Sequence, residues 1–311
     1  MPPAEPSPGT LPEVTAARRR VGYLGPEGTF SEEALLASAA PDAVEPIALA
    51  SIYDTVAALR DDLVDWAIVP IENSLDGSVS VTLDLLADAS TGVEIVGEWL
   101  LRVRHSLIAA HPVGLREIKT VLSHPQVPGQ CERFLRDELS HATILAASST
   151  AEAIRTVAAR RRHDEAALGT ALAAQIYGAV VLREGVEDRD DNQTRFVWLA
   201  RAGQAGEQPP LRAAGGGRWK TSLMFWGAGA DHAGWLVRCL DEFARRDINL
   251  TKIESRPRRE RLGSYMFFAD LSGRASEAPV SQAIAGLAAQ CGEVRVLGSY
   301  RCAAPVTAGP R

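Results

Sequence analysis

Short runs of β-branched, aromatic and other apolar residues recur along the first two thirds of the chain, at 21–24, 66–71, 93–103, 107–110, 120–122, 142–146, 166–169, 180–182 and 196–199. Their lengths and their bias towards Val, Ile, Leu and Phe predict strands. Between them lie Ala- and Leu-rich stretches with apolar residues three and four positions apart. These predict helices after Ser31, over 51–62, around Phe134 and Leu135, over 151–161 and after Gly169. Alternating strands and helices are the mark of an α/β fold. The run at 93–103 is long enough to carry the chain out to a second lobe, and 180–182 brings it back. The pattern predicts two α/β lobes around a cleft.

The chain changes character after Arg201. Residues 202–217 contain Gln208-Pro209-Pro210 and Gly215-Gly216-Gly217, a flexible linker by composition. Beyond it a strand at 220–226, a helix at 234–245, strands at 250–256 and 264–271, a helix at 281–289 and a strand at 294–300 follow one another. That βαββαβ order is the ferredoxin-like plan. This unit carries no catalytic constellation, so a binding or regulatory role is expected of it. At the other end, 1–13 hold several prolines and no apolar stretch of the signal-peptide kind, and 1–19 read as a disordered tail.

Size and composition narrow the class. The chain has 311 residues, 46% hydrophobic and 23% charged, which describes an ordinary globular protein of two or more domains. A net charge of −6 offers no basic footprint for nucleic acid, and Arg18-Arg19-Arg20 and Arg160-Arg161-Arg162 are short and isolated. Cys131, Cys239, Cys291 and Cys302 show no CxxC spacing, which points to free thiols in a reducing compartment. The six histidines form neither HxH nor HExxH, so no metal site is expected. No run approaches membrane-spanning length. The expectation is a cytoplasmic protein without nucleic-acid or membrane partners.

Candidate chemistry gathers in polar loops at the ends of apolar strands, where open α/β sheets collect ligands. Gly25-Pro26-Glu27-Gly28-Thr29-Phe30-Ser31 precedes a helix and can offer amides to an anion, or simply cap that helix. Glu72-Asn73-Ser74-Leu75-Asp76-Gly77-Ser78 reads equally as an anion-binding loop or an Asx turn. Ser123-His124-Pro125-Gln126 and Ser148-Ser149-Thr150 follow two further strands. Asn192-Gln193-Thr194-Arg195-Phe196 enters the last one, presenting a hydroxyl and a cation where a loop meets a rigid sheet. None is a Walker or GxGxxG loop, so a nucleotide is not expected.

Taken together, the segments at 25–31, Pro70-Ile71-Glu72-Asn73-Ser74, Ser123-His124-Pro125-Gln126 and Asn192-Gln193-Thr194-Arg195-Phe196 resemble the signature segments of prephenate dehydratases, in the same order. The C-terminal unit, with Ile248-Asn249-Leu250-Thr251-Lys252-Ile253-Glu254-Ser255-Arg256-Pro257, is similar to the ACT regulatory domain of those enzymes. The resemblance implies a catalytic region over 20–202 like a two-lobed type 2 periplasmic binding protein. Lobe 1 would span about 20–103 and 180–202, lobe 2 about 104–179, the linker 203–217 and the ACT unit 218–303. It also implies conversion of prephenate to phenylpyruvate without a cofactor, because aromatisation of the ring supplies the driving force.

The family's essential threonine falls on Thr194, its cleft-lining asparagine on Asn73 with Ser74 beside it, and its serine and two glutamines on Ser123, Gln126 and Gln130. A serine–threonine pair falls on Ser149 and Thr150. On this reading Thr194 protonates the departing hydroxide or orients the water that does. Asn73, Ser74, Ser123, Gly77, Gly28 and Thr29 hold carboxylates, Gln126 and Gln130 fix the ring, and Arg195 anchors a carboxylate or braces its loop. His124 and Glu72 are expected to cap or brace rather than react. The effector site implied by the ACT likeness takes L-phenylalanine between subunits, at Gly234, Leu236, Val237, Asn249, Leu250, Glu254, Ser255, Arg256 and Pro257, in a homodimer or homotetramer. Trp235 departs from the pattern, either filling part of that pocket or pointing outward. Two alternatives stand beside this: arogenate dehydratase, and a non-catalytic amino-acid sensor. No long helical segment precedes Val21, so a fused chorismate mutase is not expected.

Overall fold

The computed structural model describes residues 18–204, 209–212, 217–227, 229 and 232–304. The chain opens with β1 (Arg19–Leu24), α1 (Phe30–Ser38), β2 (Val44–Leu49), α2 (Ile52–Arg60), β3 (Trp66–Asn73), the two-residue β4 (Gly77–Ser78), α3 (Ser80–Ala87) and β5 (Val93–Arg102). Short side chains start the first two helices. Thr29 caps α1 by accepting from the Glu32 amide, and Ser51 caps α2 at 3.0 Å from the Asp54 amide. The sequence pattern marked neither β2 nor α3. Pro46 interrupts β2, which is tolerated because that strand lies at the sheet edge.

After β5 the chain builds a second body from β6 (Ser106–Ala109), β7 (Thr120–Ser123), α4 (Val127–Gln130), α5 (Glu132–Glu138), β8 (Thr143–Ala146), α6 (Thr150–Arg160), β9 (Glu165–Gly169), α7 (Ala171–Tyr177) and β10 (Val180–Arg183). Its five-stranded sheet has the order β10-β6-β9-β7-β8. The chain then returns through β11 (Gln193–Arg201), which pairs antiparallel with both β3 and β5 in the first sheet. Mixed α/β architecture in two sheets, with one crossing out and one back, follows the sequence pattern closely.

Strand β11 is the spine of the core. Phe196 and Trp198 face Tyr23, Ala34 and Leu35 on one side of the sheet. Val197 and Leu199 face the other side, among Leu59, Leu83 and Ile95. The period-two alternation of a strand buried on both faces accounts for this division.

The C-terminal part runs β12 (Trp219–Trp226), α8 (Trp235–Ala244), β13 (Leu250–Pro257), β14 (Tyr265–Ser272), α9 (Ala278–Ala288) and β15 (Glu293–Arg301). Its strands lie in the order β13-β14-β12-β15, all antiparallel. This unit is not merely tethered. Met224, Phe268, Leu297 and Tyr300 join the same apolar cluster as Val197 and Leu199. Strand β15 also meets β5 edge to edge, Gly298 opposite Ile95, so one sheet of ten strands runs through both parts. Only glycine fits there, since a Cβ on Gly298 would lie 2.1 Å from the Ile95 carbonyl oxygen. The stretch expected to be a flexible linker is partly pinned as well. The Arg212 amide donates to the Ser38 carbonyl at 2.7 Å, and Leu211 bridges to Ala39. Residues 205–208 and 213–216, and 1–17 of the expected N-terminal tail, lie outside the described residues. No described helix is long and apolar enough to cross a membrane.

Burial lifts the Glu33 carboxyl on α1 above the usual carboxylate range, to about 7. A folded state that holds this proton more tightly than the unfolded one loses stability as pH rises between the two values. Glu33→Gln is therefore expected to raise Tm at pH 8 and leave it nearly unchanged at pH 4. Equal shifts at both values in thermal melts would contradict the assignment.

Candidate active site

A cavity of about 450 Å³ opens between the two sheets. The first sheet contributes Thr29, Asn73 and Thr194, and the second body contributes Gln126, Gln130, Ser149 and Thr150. Pairing between β3 and β11 sets Asn73 directly opposite Thr194. Where β3 ends, the Asn73 Oδ1 accepts from the amides of Leu75 and Asp76 at 2.8 and 3.0 Å, an Asx turn. The side-chain NH₂ must then face the cleft. It donates to Thr194 Oγ1 and to Asn192 Oδ1, both at 2.9 Å. The Thr194 oxygen is an acceptor in this contact, which leaves its own hydrogen free for a ligand.

On the opposite wall Ser149 caps α6, accepting from the Glu152 amide at 3.0 Å, and Thr150 is the first helical residue. The free amides and positive end of this helix face the cavity. Gln130 closes α4 and spans the cleft, its Nε2 donating to Asp76 Oδ2 at 3.3 Å. A second bridge joins the two bodies behind it. Thr170 Oγ1 donates to the Gly28 carbonyl at 2.6 Å, and the Tyr177 hydroxyl to that of Glu27 at 2.8 Å. Gly28 has φ +84°, and a Cβ there would come within 2.6 Å of the Ala173 methyl. Its role is close packing of the two bodies rather than ligand contact.

Several expected substrate contacts are placed elsewhere. Arg195 departs most from the expectation. Strand alternation turns it away from Thr194 and from the cavity, into the joint with the C-terminal unit, where its side chain is 8% exposed. Its Nε donates to Glu98 at 2.8 Å, Nη1 to Asp270 at 2.5 Å and to Glu72 at 3.4 Å, and Nη2 to the Tyr300 hydroxyl at 2.7 Å. Lys220 also pairs with Glu98 at 2.8 Å, and Lys252 with Glu72 at 3.2 Å. Glu72, expected to brace its own loop, thus pairs across the joint with the C-terminal unit. Burial alone raises the Asp270 carboxyl, but Arg195, Ser222 and Lys220 together hold it below the usual range. Ser123 is buried outside the cavity lining, its hydroxyl turned to the His124 carbonyl. Ser74 supports the network from behind, accepting from the Gln193 amide at 3.0 Å and donating to Asn192 Oδ1 at 3.4 Å. Gly77, with φ +80°, makes the tight turn into β4. His124 does line the cavity, and its Nδ1 accepts from the Gln126 amide, a capping contact.

Among the cavity residues given no role from the sequence, His105, Asp76 and Asn192 join its hydrogen-bond network. Asn192 belongs to the polar run before Thr194, which was a signal. His105 follows β5 without any motif around it. Cys131 adjoins Gln130, but burial pushes its thiol up to about 12, far from a nucleophile. Among the described residues no group of three or more His, Cys, Asp or Glu could hold a metal ion.

In the C-terminal unit the expected effector residues divide by face. Gly234, Val237, Asn249, Ser255 and Pro257 are exposed, whereas Leu236 and Leu250 lean on the unit's own core. Glu254 and Arg256 point the other way, to β4 and α3. Glu254 accepts from Ser78 at 3.0 Å, and Arg256 grips Asp84 with both oxygens within 2.9 Å of Nη2. Trp235 turns inward. It is 4% exposed, packs with Phe225 and Phe267, and donates from Nε1 to the Gln290 carbonyl at 2.8 Å.

The fold and site define a two-bodied α/β protein with a cleft of small-molecule size, lined by a hydroxyl that is free to donate. The prephenate dehydratase family model matches residues 21–204. A prephenate dehydratase of Mycolicibacterium vanbaalenii is 40% identical over 93% of both chains. A solved structure of prephenate dehydratase from Arthrobacter aurescens in complex with L-Phe is 35% identical, with a TM-score of 0.80 over 91% of this chain and 90% of that one. A structure described as a quorum quenching acylase, GqqA, is 27% identical, with a TM-score of 0.79 over 92% of this chain and 99% of that one. The chain belongs to the prephenate dehydratase family.

Replacing Asp270 by Asn leaves the buried Arg195 short of a counter-charge. Urea unfolding is expected to show a loss of about 3–5 kcal/mol, and a loss below 1 kcal/mol would mean the cluster does not hold the two parts together. Because the Asp270 carboxyl is depressed in the folded state, this contribution is present near neutral pH and fades as pH falls through its folded value.

Proposed function

We propose that the protein is a prephenate dehydratase that forms phenylpyruvate from prephenate, releasing water and carbon dioxide. The observation that carries this is the Asn73 amide donated to Thr194 Oγ1, which leaves the threonine hydrogen free for a ligand in the cavity. In the reaction the bond from the ring to its hydroxyl oxygen breaks and the departing oxygen takes a proton. The bond from the ring to the carboxylate carbon breaks as well, and its electron pair completes the aromatic ring. Thr194 supplies the proton, or orients the water that supplies it, and recovers its hydrogen from solvent. Asn73 donating to the threonine oxygen stabilises the charge that develops there.

The described residues lining the cavity include no lysine or arginine. The dianion would be held by the amides at the start of α6 and by the hydroxyls of Ser149 and Thr150, since the Thr29 hydroxyl already donates to the Leu24 carbonyl. Neutral donors suit a substrate that must lose a carboxylate, because an ion pair to the departing group would stabilise the ground state more than the transition state. Gln126 and Gln130 would orient the ring.

The reading extends to the whole chain. Residues 20–202 form the two-lobed, binding-protein-like catalytic region, and 218–303 form an ACT unit that binds L-phenylalanine, the ligand present in the Arthrobacter aurescens structure. The exposed β13 edge, where Ile253 is 46% exposed, and Val237 of α8, 70% exposed, support pairing with a second copy in a homodimer or homotetramer. The Arg195 cluster would carry the effector's influence to the residue next to Thr194. Free thiols at all four cysteines favour the cytoplasm. Arogenate remains the substrate to compare, since it differs only at the side-chain end. Amide hydrolysis of the acylase kind finds little support here. Ser123 is turned to a backbone carbonyl, Ser149 is occupied as a helix cap, and the Cys131 thiol is held protonated.

The deciding assay is phenylpyruvate formation from prephenate, with arogenate in parallel and with and without phenylalanine. Turnover of prephenate suppressed by phenylalanine is expected, and folded protein that turns over neither substrate would favour a sensor. Thr194→Val should lower kcat by about 10²–10⁴ while still binding substrate, and Thr194→Ser should keep substantial activity; an active valine enzyme would remove Thr194 from the chemistry. Tyr300→Phe, which takes one partner from Arg195, is expected to raise the phenylalanine concentration for half inhibition about five- to tenfold without changing uninhibited turnover. An unchanged value would exclude the Arg195 route.

A further inference from the structure

His105 lies where the chain crosses from the first sheet to the second body, between β5 and β6. It lines the cavity, is 1% exposed and meets Phe30 edge-on with ring centroids 5.3 Å apart. Its main chain is clamped on both sides. The amide donates to Glu187 Oε2 at 2.9 Å, and the carbonyl accepts from the Val186 amide at 3.0 Å. Its Nε2 is 3.0 Å from Gln130 Oε1.

The polarity of the network at His105 is fixed from its far end. Backbone amides can only donate, so the Leu75 and Asp76 contacts make the buried end of Asn73 its oxygen. Its NH₂ then donates to Thr194 Oγ1 and to Asn192 Oδ1. With Asn192 Oδ1 an acceptor, the Asn192 NH₂ donates to Gln130 Oε1 at 3.3 Å. That same oxygen faces His105, so the hydrogen of the ring belongs on Nε2. The other ring nitrogen, Nδ1, is buried without a hydrogen-bond partner. A bare lone pair is tolerated there at modest cost, whereas an imidazolium N–H would be both charged and unpaired. Burial accordingly holds the ring below the ordinary histidine value, against the opposing pulls of the Gln130 hydrogen bond and of Glu187, the charged group set beside it. Arg104 in turn faces Glu187, and Asp76 lies beyond Gln130.

We propose that His105 is a positioning residue for the dehydration, a neutral Nε2–H imidazole that anchors the amide chain and keeps the Thr194 hydrogen turned to the substrate. It rests on the reading of Thr194 as proton donor. Gln130 keeps its NH₂ on Asp76, so without the His105 donor its Oε1 holds only the 3.3 Å contact from Asn192, and the arm that fixes Asn192 beside Asn73 loosens. The ring itself touches neither reacting bond.

His105→Gln and His105→Leu distinguish this from packing, because the glutamine NH₂ can stand in for the ring Nε2–H and leucine cannot. The leucine enzyme is expected to lose about ten- to hundredfold in kcat with little change in KM, and the glutamine enzyme to recover most of that loss. Equal activity in both variants, equal loss in both, or a rise in KM alone would overturn the proposal. ¹⁵N NMR of histidine-labelled wild-type enzyme gives a second reading that survives if the leucine variant fails to fold. One ring locked as the Nε2–H tautomer from about pH 5 to 8, and absent in His105→Gln, supports the assignment. An Nδ1–H tautomer, or an ordinary titration in that range, overturns it. Thr194→Val tests the donor reading separately, since it leaves the His105 tautomer in place.

Discussion

The guanidinium of Arg195 is the contact on which both halves of the molecule depend. It is buried one residue from Thr194, and its acceptors come from strands on both sides of the joint: Glu98 and Glu72 from the first sheet, Asp270 and the Tyr300 hydroxyl from the C-terminal unit. Arg195, Lys220 and Lys252 answer Glu98, Asp270 and Glu72, so the cluster is balanced in charge. Buried ion pairs contribute little net stability against an apolar alternative, but they penalise misplacement heavily. Their effect here is to fix how the C-terminal sheet docks on β11. The Gly298–Ile95 approach works in the same direction, since it closes only at one register.

The cavity follows a different logic. Its polar groups are almost all neutral, and they are ordered by a chain of side-chain amides rather than by charges. Order begins with two backbone amides at the end of β3, which cannot reverse their role, and passes through Asn73 to Thr194 and through Asn192 to Gln130. Such a network is either fully satisfied or disordered, because one flipped amide sets donor against donor. A weakly acidic hydroxyl is therefore held as an acceptor from Asn73, with its own hydrogen left free beside the cavity.

Strand alternation divides labour within single segments. On β11 it sends Thr194 to the cavity and Arg195 to the joint. On β13 it sends Glu254 and Arg256 to Ser78 and Asp84, leaving Ser255 and Pro257 exposed. A motif that reads as one site can thus serve two surfaces. Trp235 illustrates the same point on a helix. Its place at the start of α8 suggested a role in an effector pocket, yet its ring completes the unit's own core.

The order and kind of most elements, the crossing into a second body and the return, and the loops that meet at the cleft were all legible along the chain. Those features follow from local periodicity and from polar residues at strand ends, which are properties of neighbours along the chain. Asn73, Thr194, Gln126, Gln130, Ser149, Thr150 and Thr29 were legible for that reason, and all line the cavity. Edge strand β2 and helix α3 were not, since Pro46 breaks one pattern and α3 is only eight residues long with β-branched Val81 and Thr82 in its first turn. Only the tertiary structure decided which way each side chain of a motif points, and so removed Arg195 and Ser123 from the cavity wall. It alone brought in His105, whose partners are 25 and 82 residues away in sequence. Long-range hydrogen bonds and ion pairs leave no periodic trace, because their partners are chosen by how sheets pack and not by spacing along the chain.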